Sequence, residues 1–317
     1  MRDTLTVPPA RTQVPLRHLT GPHALDRALI ERLLERASAF EQANEMDARL
    51  PGRLLATVFY EPSTRTRFSF EAAMHRLGGQ VLSAENATIA SSAAKGESLE
   101  DAIRVISGYA DGIVLRHPDI GAADRAAQVA QVPVISAGDG AGHHPTQALL
   151  DLYTIKKELG RLDHLRVGLA GDLRNGRTVR SLAQLLSRFP GNELVLISPP
   201  GLRLGDEIVR SLEQAQQRVQ QTGDFGAAIP TLDVLYQTRI QAERFESPEE
   251  YERYRGVYVV TADVMRQLPE EAIVMHPLPR VAEIDPVVDA DPRAAYFRQA
   301  RNGLWVRMAV LDWALGG

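Results

Sequence analysis

Leu54-Leu55-Ala56-Thr57-Val58-Phe59, followed without a break by Tyr60-Glu61-Pro62-Ser63-Thr64-Arg65-Thr66-Arg67-Phe68-Ser69-Phe70-Glu71, decides how this chain is read. The first six residues are an apolar, β-branched-containing run of the length of a buried parallel strand. Beyond the polar segment, Phe70, Ala73, Met74 and Leu77 recur at the spacing of one helical face, and Gly78-Gly79 stops that helix. The Ser/Thr/Arg cluster therefore sits where a strand ends and a helix begins. Backbone N–H groups are unpaired there, the helix dipole favours anions, and hydroxyls and guanidiniums add donors. Alternating hydroxyl and guanidinium side chains are denser than an N-cap needs, and they point to an anion seat, with phosphate as the occupant.

Outward from this stretch, strand and helix patterns alternate along almost all of the 317 residues, the signature of an α/β protein with doubly wound parallel sheets. An opening helix is predicted over Ala24–Ala43. Strands follow at Leu54–Phe59, Gln80–Ser83, Gly112–Arg116 and Val132–Ser136, with helices at Glu97–Ala110 and Ala122–Ala130. A long helix over Pro145–Leu159 carries Ala148, Leu152, Ile155 and Leu159 on one side and ends at Gly160. The alternation restarts with a strand at Leu165–Ala170, a helix at Thr178–Phe189, a strand at Glu193–Ser198 and a polar helix at Asp206–Thr222. Further strands are expected at Leu232–Tyr236, Val257–Val260 and Ala272–Met275. Ser247-Pro248-Glu249-Glu250 has the form of a capped helix start, and a last helix spans Pro292–Leu315 with Gly303 inside it. The boundary falls near residue 150 with no flexible linker, so two domains, 1–150 and 151–294, should meet along a cleft at the carboxyl ends of their strands.

Composition narrows the partners. The chain is 44% hydrophobic and 24% charged with a formal net charge of -4, so nothing global favours nucleic acid or a membrane surface, and anions must be met by local arginine clusters. It has no cysteine, which excludes disulfides, thiol catalysis and cysteine-ligated zinc and fits a reducing, cytoplasmic setting. No run approaches the ~18 apolar residues of a membrane span. The first 17 residues, with Pro8, Pro9 and Pro15, read as an arm rather than a targeting segment.

More cationic loops follow the other strands. Arg116 closes the third strand. Gly138-Asp139-Gly140-Ala141-Gly142-His143-His144-Pro145-Thr146-Gln147 leads into the long helix, its glycines allowing a ligand close to the backbone. His143-His144 lacks the further ligands a metal needs, so no metal is expected, and polarising a carbonyl suits His144 better. Gly171-Asp172-Leu173-Arg174-Asn175-Gly176-Arg177-Thr178 matches GxxxxGK[ST] except for Arg177, which keeps a nucleotide phosphate loop as a rival. Arg177 instead has the fork geometry for a carboxylate. Gln237-Thr238-Arg239-Ile240-Gln241 and Met275-His276-Pro277-Leu278-Pro279-Arg280 also follow strands, and two prolines fix the backbone around Leu278.

Ser63-Thr64-Arg65-Thr66-Arg67 with His144-Pro145-Thr146-Gln147 resembles the carbamoyltransferase family, and Arg239-Ile240-Gln241 with His276-Pro277-Leu278-Pro279 resembles its aspartate branch. The likeness covers nearly the whole chain and is weakest over residues 200–230. The ornithine branch usually carries His-Cys-Leu-Pro and a Ser-Met-Gly loop in the corresponding places, and this chain has neither. Phe59-Tyr60-Glu61-Pro62 and Ser91-Ser92-Ala93-Ala94-Lys95-Gly96-Glu97 are most similar to the plant type, which works without a separate regulatory chain.

The resemblance implies the following roles. Domain 1–150 would bind carbamoyl phosphate and 151–294 aspartate, with a C-terminal helix, about 295–317, packing back onto the first. Ser63, Thr64, Arg65 and Thr66 would hold the phosphate, joined by Ser91. Thr66, Arg116 and His144 would polarise the carbonyl. Gln147 and the Leu278 and Pro279 backbone would hold the amide. Arg177, Thr178, Arg239, Gln241 and Lys95 would take the aspartate carboxylates. Glu61 and Arg244 would link the domains on closure. Ser91 and Lys95 would reach in from a neighbouring subunit of a homotrimer. A regulatory chain, a dihydroorotase partner and inhibition by UMP stay open. The implied reaction, part of pyrimidine synthesis, needs no covalent nucleophile, metal or organic cofactor: an uncharged aspartate amine attacks the carbonyl carbon and phosphate leaves. Its rivals are transfer to another amine such as ornithine, nucleotide binding through Gly171–Thr178, and a catalytically silent scaffold.

Overall fold

The computed structural model describes residues 15–44, 47–86, 96–241, 245 and 247–316. The first half runs α1 (Arg27–Ala43), β1 (Leu54–Phe59), α2 (Thr64–Arg76), β2 (Gln80–Glu85), α3 (Leu99–Ser107), β3 (Gly112–His117), α4 (Ala122–Val129), β4 (Val134–Asp139) and α5 (Pro145–Leu159). The second runs β5 (Arg166–Ala170), α6 (Arg177–Leu186), β6 (Glu193–Ile197), α7 (Asp206–Gln214), β7 (Arg218–Thr222), α8 (Phe225–Ala228), β8 (Val234–Gln237), α9 (Pro248–Glu252), α10 (Ala262–Gln267), β9 (Ile273–Met275) and α11 (Tyr296–Leu315). Two parallel sheets result, ordered β2-β1-β3-β4 and β7-β6-β5-β8-β9.

Each sheet reverses its winding at one point, between β1 and β3 in the first and between β5 and β8 in the second, and such points open a crevice beyond the strand ends. The segments leaving these four strands are the ones rich in arginine. The strands themselves are buried, as β1 and β3 show along nearly their whole length.

α5 has no single apolar side. Pro145, Thr146 and every residue from Ala148 to Ile155 are buried, because the helix lies between the two halves and packs on α6 and α11. α11 lies against α1, α2 and α5 of the first half. Gly303 lets it do so: a Cβ there would stand 2.4 Å from an Arg307 terminal nitrogen and 3.1 Å from Leu150. One continuous hydrophobic cluster runs from α1 through α5 and α11 to β5 and α6.

Two expectations fail. Asp206–Thr222 is not one polar helix; α7 stops at Gln214, Gln216 takes a left-handed φ of 59°, and Arg218–Thr222 becomes the edge strand β7. Its polar sequence suits an edge, where a strand has one neighbour and much exposed surface. Val257–Val260 is not a strand either. Tyr258 has a φ of 61°, which no strand accommodates, and only Val260 makes a bridge, to Ile284.

Candidate active site

A cleft of about 630 Å³ opens between the carboxyl ends of the two sheets. Three helices begin at its wall: α2 at Ser63–Thr64, α5 at His144–Pro145 and α6 at Gly176–Arg177. Ser63 precedes α2 with an extended φ of -161°, and its hydroxyl makes no capping bond. The first-turn amides of α2 thus have no acceptor within the helix and face the cleft together with the hydroxyls and guanidinium of Ser63, Thr64 and Arg65. Arg67 does not join them. It turns to the edge of the first sheet, where it lies 2.8 Å from Glu85 and donates to Ser83 Oγ at 3.1 Å. Helical periodicity separates the two arginines, since residues two apart point to different faces.

Arg116 is brought inward by an irregularity: Leu115 pairs with Ser136 but His117 with Asp139, so β4 carries one residue more than β3. The Arg116 side chain donates to the Ala137 carbonyl at 3.2 Å and meets Glu61 Oε2 at 3.4 Å. Arg177 reaches the same carboxylate oxygen at 3.6 Å and donates to the Gly140 carbonyl at 2.7 Å. Gly138, at a φ of 113°, makes this possible, because its Cβ would lie 3.2 Å from Arg116 and 3.3 Å from Arg177. Glycine in this loop therefore admits two guanidiniums. Burial, then the neighbouring Arg177 charge, lowers the Arg116 pKa to about 10.

His144 is buried, its backbone N–H donates to Ser181 Oγ at 2.9 Å, and its Nδ1 has no hydrogen-bond partner. Burial followed by Arg177, Arg116 and Arg307 pushes its pKa well below the usual value, so the ring is a neutral imidazole at pH 7. Its neighbour His143 does not line the cleft, and among the described residues no three His, Asp or Glu side chains are grouped to hold a metal. Gln147 donates from its side-chain nitrogen to Asp151 Oδ1 at 2.9 Å. Thr66, Thr178, Arg239, Leu278 and Pro279 line the cleft, as does Gln241, which donates to the Asn175 carbonyl at 3.3 Å. Leu278 stands at a φ of 54° ahead of a cis bond to Pro279, and its N–H donates to His276 Nδ1 at 2.8 Å.

Arg65, Arg116, Arg177 and Arg239 thus share one hollow, along with a fifth arginine that the sequence reading passed over. Arg307, on α11, is buried over the Phe70 ring, and burial lowers its pKa to about 10. Its signal was available: an arginine inside the apolar run Leu304–Leu311 needs a reason to be there. Glu61 is the one acidic residue on the described wall, so the formal charge there is 5 − 1 = +4 in a chain of net -4. Ser91, Lys95 and Arg244 lie outside the described residues.

The loop Gly171–Thr178 is not a phosphate cradle. Five of its eight amides are engaged: Gly171 to the Ile197 carbonyl, Leu173 and Arg174 to the Leu202 carbonyl, Asn175 to Asp172 Oδ1 and Arg177 to the Asn175 carbonyl. A phosphate loop needs those donors turned to the ligand.

Comparison with known proteins agrees with this geometry. The carbamoyl-P binding domain of aspartate/ornithine carbamoyltransferases matches residues 17–157, and the Asp/Orn binding domain of the same family matches residues 163–314. The chain belongs to the aspartate/ornithine carbamoyltransferase family. Among this family's members, the chloroplastic aspartate carbamoyltransferase of Oryza sativa subsp. japonica is 54% identical over 90% of this chain and 78% of its own length. The aspartate carbamoyltransferase catalytic subunit of Methanopyrus kandleri is 53% identical over 92% and 94%. The crystal structure of Trypanosoma cruzi aspartate transcarbamoylase with carbamoyl phosphate and aspartate superposes with a TM-score of 0.89 at 41% identity, covering 95% of this chain and 97% of that one.

Proposed function

We propose that this carbamoyltransferase passes the carbamoyl group of carbamoyl phosphate to the amine of L-aspartate, giving N-carbamoyl-L-aspartate and phosphate, a step of pyrimidine synthesis. The observation that carries the reading is the five-arginine hollow in an acidic chain, divided between two sheets so that each half can receive one anion. The relatives named above are aspartate enzymes, and the second half of the cleft suits a dianionic amino acid, since Arg239 would repel the side-chain ammonium of ornithine.

In this reading the phosphate sits on the first turn of α2 with Ser63, Thr64, Arg65 and Thr66. The carbonyl oxygen faces Thr66, Arg116 and neutral His144, and the amide faces Gln147 and the Leu278–Pro279 backbone. Arg177, Thr178, Arg239 and Gln241 hold the carboxylates of aspartate. The amine attacks the carbonyl carbon, and the C–O bond to phosphate breaks as the C–N bond forms. The departing phosphate takes the amine proton. Negative charge grows on the carbonyl oxygen, where Arg116 and His144 are already fixed, so little reorganisation is needed in the transition state. Holding both substrates in line supplies much of the rest.

A homotrimer with Ser91 and Lys95 reaching a neighbour's cleft extends the reading. Exposed Leu82, on the edge strand β2 that leads into residues 87–95, and exposed Phe68, on α2, support a subunit contact there. The cysteine-free composition fits a cytoplasmic setting. A phosphate-release assay with a panel of amines tests the whole: turnover with aspartate is expected, and turnover with ornithine but not aspartate would overturn the branch.

A further inference from the structure

Asp151, on α5, is fully buried one turn below Gln147 and touches none of the cleft. Its Oδ1 accepts from Gln147 Nε2 at 2.9 Å and from Gln299 Nε2 at 2.7 Å, while Oδ2 accepts from the Tyr236 hydroxyl at 2.9 Å. These partners come from α5, α11 and β8. Gln299, with its nitrogen held this way, offers its oxygen to the His276 N–H at 2.9 Å, and His276 Nδ1 in turn accepts from the Leu278 N–H. One carboxylate therefore anchors both walls assigned above to the carbamoyl amide.

A side-chain amide has a donor end and an acceptor end. With its nitrogen turned to Asp151, Gln147 has its oxygen left for the cleft. A carbamoyl group carries –NH2 where the isosteric acetyl group carries –CH3. An acceptor at that point rewards the first, whereas a flipped Gln147 would set one –NH2 against another. We propose that Asp151 is a positioning residue that sets the polarity of this pocket, holding Gln147 with its carbonyl inward so that carbamoyl phosphate is preferred over acetyl phosphate. The inference rests on the reading of Gln147 as an amide contact.

It does not require a charge on Asp151. A proton on Oδ2 would be given to the Tyr236 oxygen, whose own proton would turn to the Thr178 hydroxyl, leaving Oδ1 to both glutamines, and Asp151→Asn can adopt the same pattern with its nitrogen toward Tyr236. The test is the ratio of acetyl phosphate to carbamoyl phosphate dissociation constants, measured by competition on the whole enzyme. Asp151→Leu should reduce the wild-type ratio about tenfold, the worth of one well-made hydrogen bond. Asp151→Asn should stay within about threefold of wild type, and Asp151→Leu/Gln147→Ala should match Gln147→Ala alone. A wild-type ratio in folded Asp151→Leu, losses that multiply in the double variant, or an Asp151→Asn as poor as Asp151→Leu would each overturn the proposal. If Gln147→Ala itself keeps the wild-type ratio, the reading of Gln147 fails and takes the inference with it. If Gln147→Ala loses the ratio while Asp151→Leu keeps it, only the inference fails. Should Asp151→Leu not fold, a neutron structure of the perdeuterated wild-type enzyme decides: both amide deuterons of Gln147 on the Asp151 side are expected, and deuterons facing the cleft overturn it.

Discussion

Glu61 Oε2 lies 3.4 Å from a terminal nitrogen of Arg116, and Arg177 approaches the same oxygen from the other half of the molecule. Glu61 leaves β1 and Arg177 begins α6, so this carboxylate ties the two halves together. It also offsets the repulsion between two guanidiniums that share one small space: burial and then the Arg177 charge lower the Arg116 pKa, and Glu61 opposes them.

Removing this tie should weaken closure more than it weakens the phosphate seat. Glu61→Ala is expected to raise KM for aspartate about tenfold or more while changing carbamoyl phosphate affinity little. Steady-state kinetics with each substrate varied in turn measures the split, and equal losses for both substrates would contradict the role.

In the proposed reaction, charge would develop on the carbonyl oxygen beside Arg116 and His144. Arg116→Ala or His144→Ala should each lower kcat about 10²–10³-fold. Gly138→Ala attacks the same group indirectly. Besides the strain of a side chain at a φ of 113°, about 1–3 kcal/mol, its Cβ would crowd both Arg116 and Arg177. Lower stability together with a fall in kcat is expected, read by thermal unfolding and by turnover at saturating substrate.

His144 also makes a statement about pH. The unfolded chain protonates this ring near pH 6.5, whereas the native chain does so only at lower pH because the ring is buried beside arginines. Its contribution to stability is thus complete above pH 6.5 and is lost as pH falls from there toward the native pKa. The stability advantage of wild type over His144→Gln should shrink between pH 7.5 and 5.5, and ¹⁵N shifts of the His144 ring should remain those of a neutral imidazole at pH 6.

If Lys95 acts across a subunit boundary, mixing Lys95→Ala chains with Arg65→Ala chains should restore part of the lost activity, because some clefts then combine two intact contributions. Mixed trimers proven by mass spectrometry yet wholly inactive would refute the sharing.

Local chemistry made much of this readable before any coordinates. The apolar run at Leu54–Phe59 and the cluster after it identify a strand and a helix start, and Pro145 with Gly160 marks both ends of α5. These depend on periodicity, caps and backbone preference, which act over a few residues. Helical periodicity parts Arg65 from Arg67, but tertiary structure alone decided which of them enters the cleft and which pairs with Glu85, that Gly138 makes room for arginines, and that Asp151, Tyr236 and Gln299 meet although 63 or more positions separate each from the next. Such choices follow from which groups share a buried, low-dielectric space, where an unpaired charge or donor costs several kcal/mol. No local pattern encodes that sharing, because it exists only once distant segments have packed together.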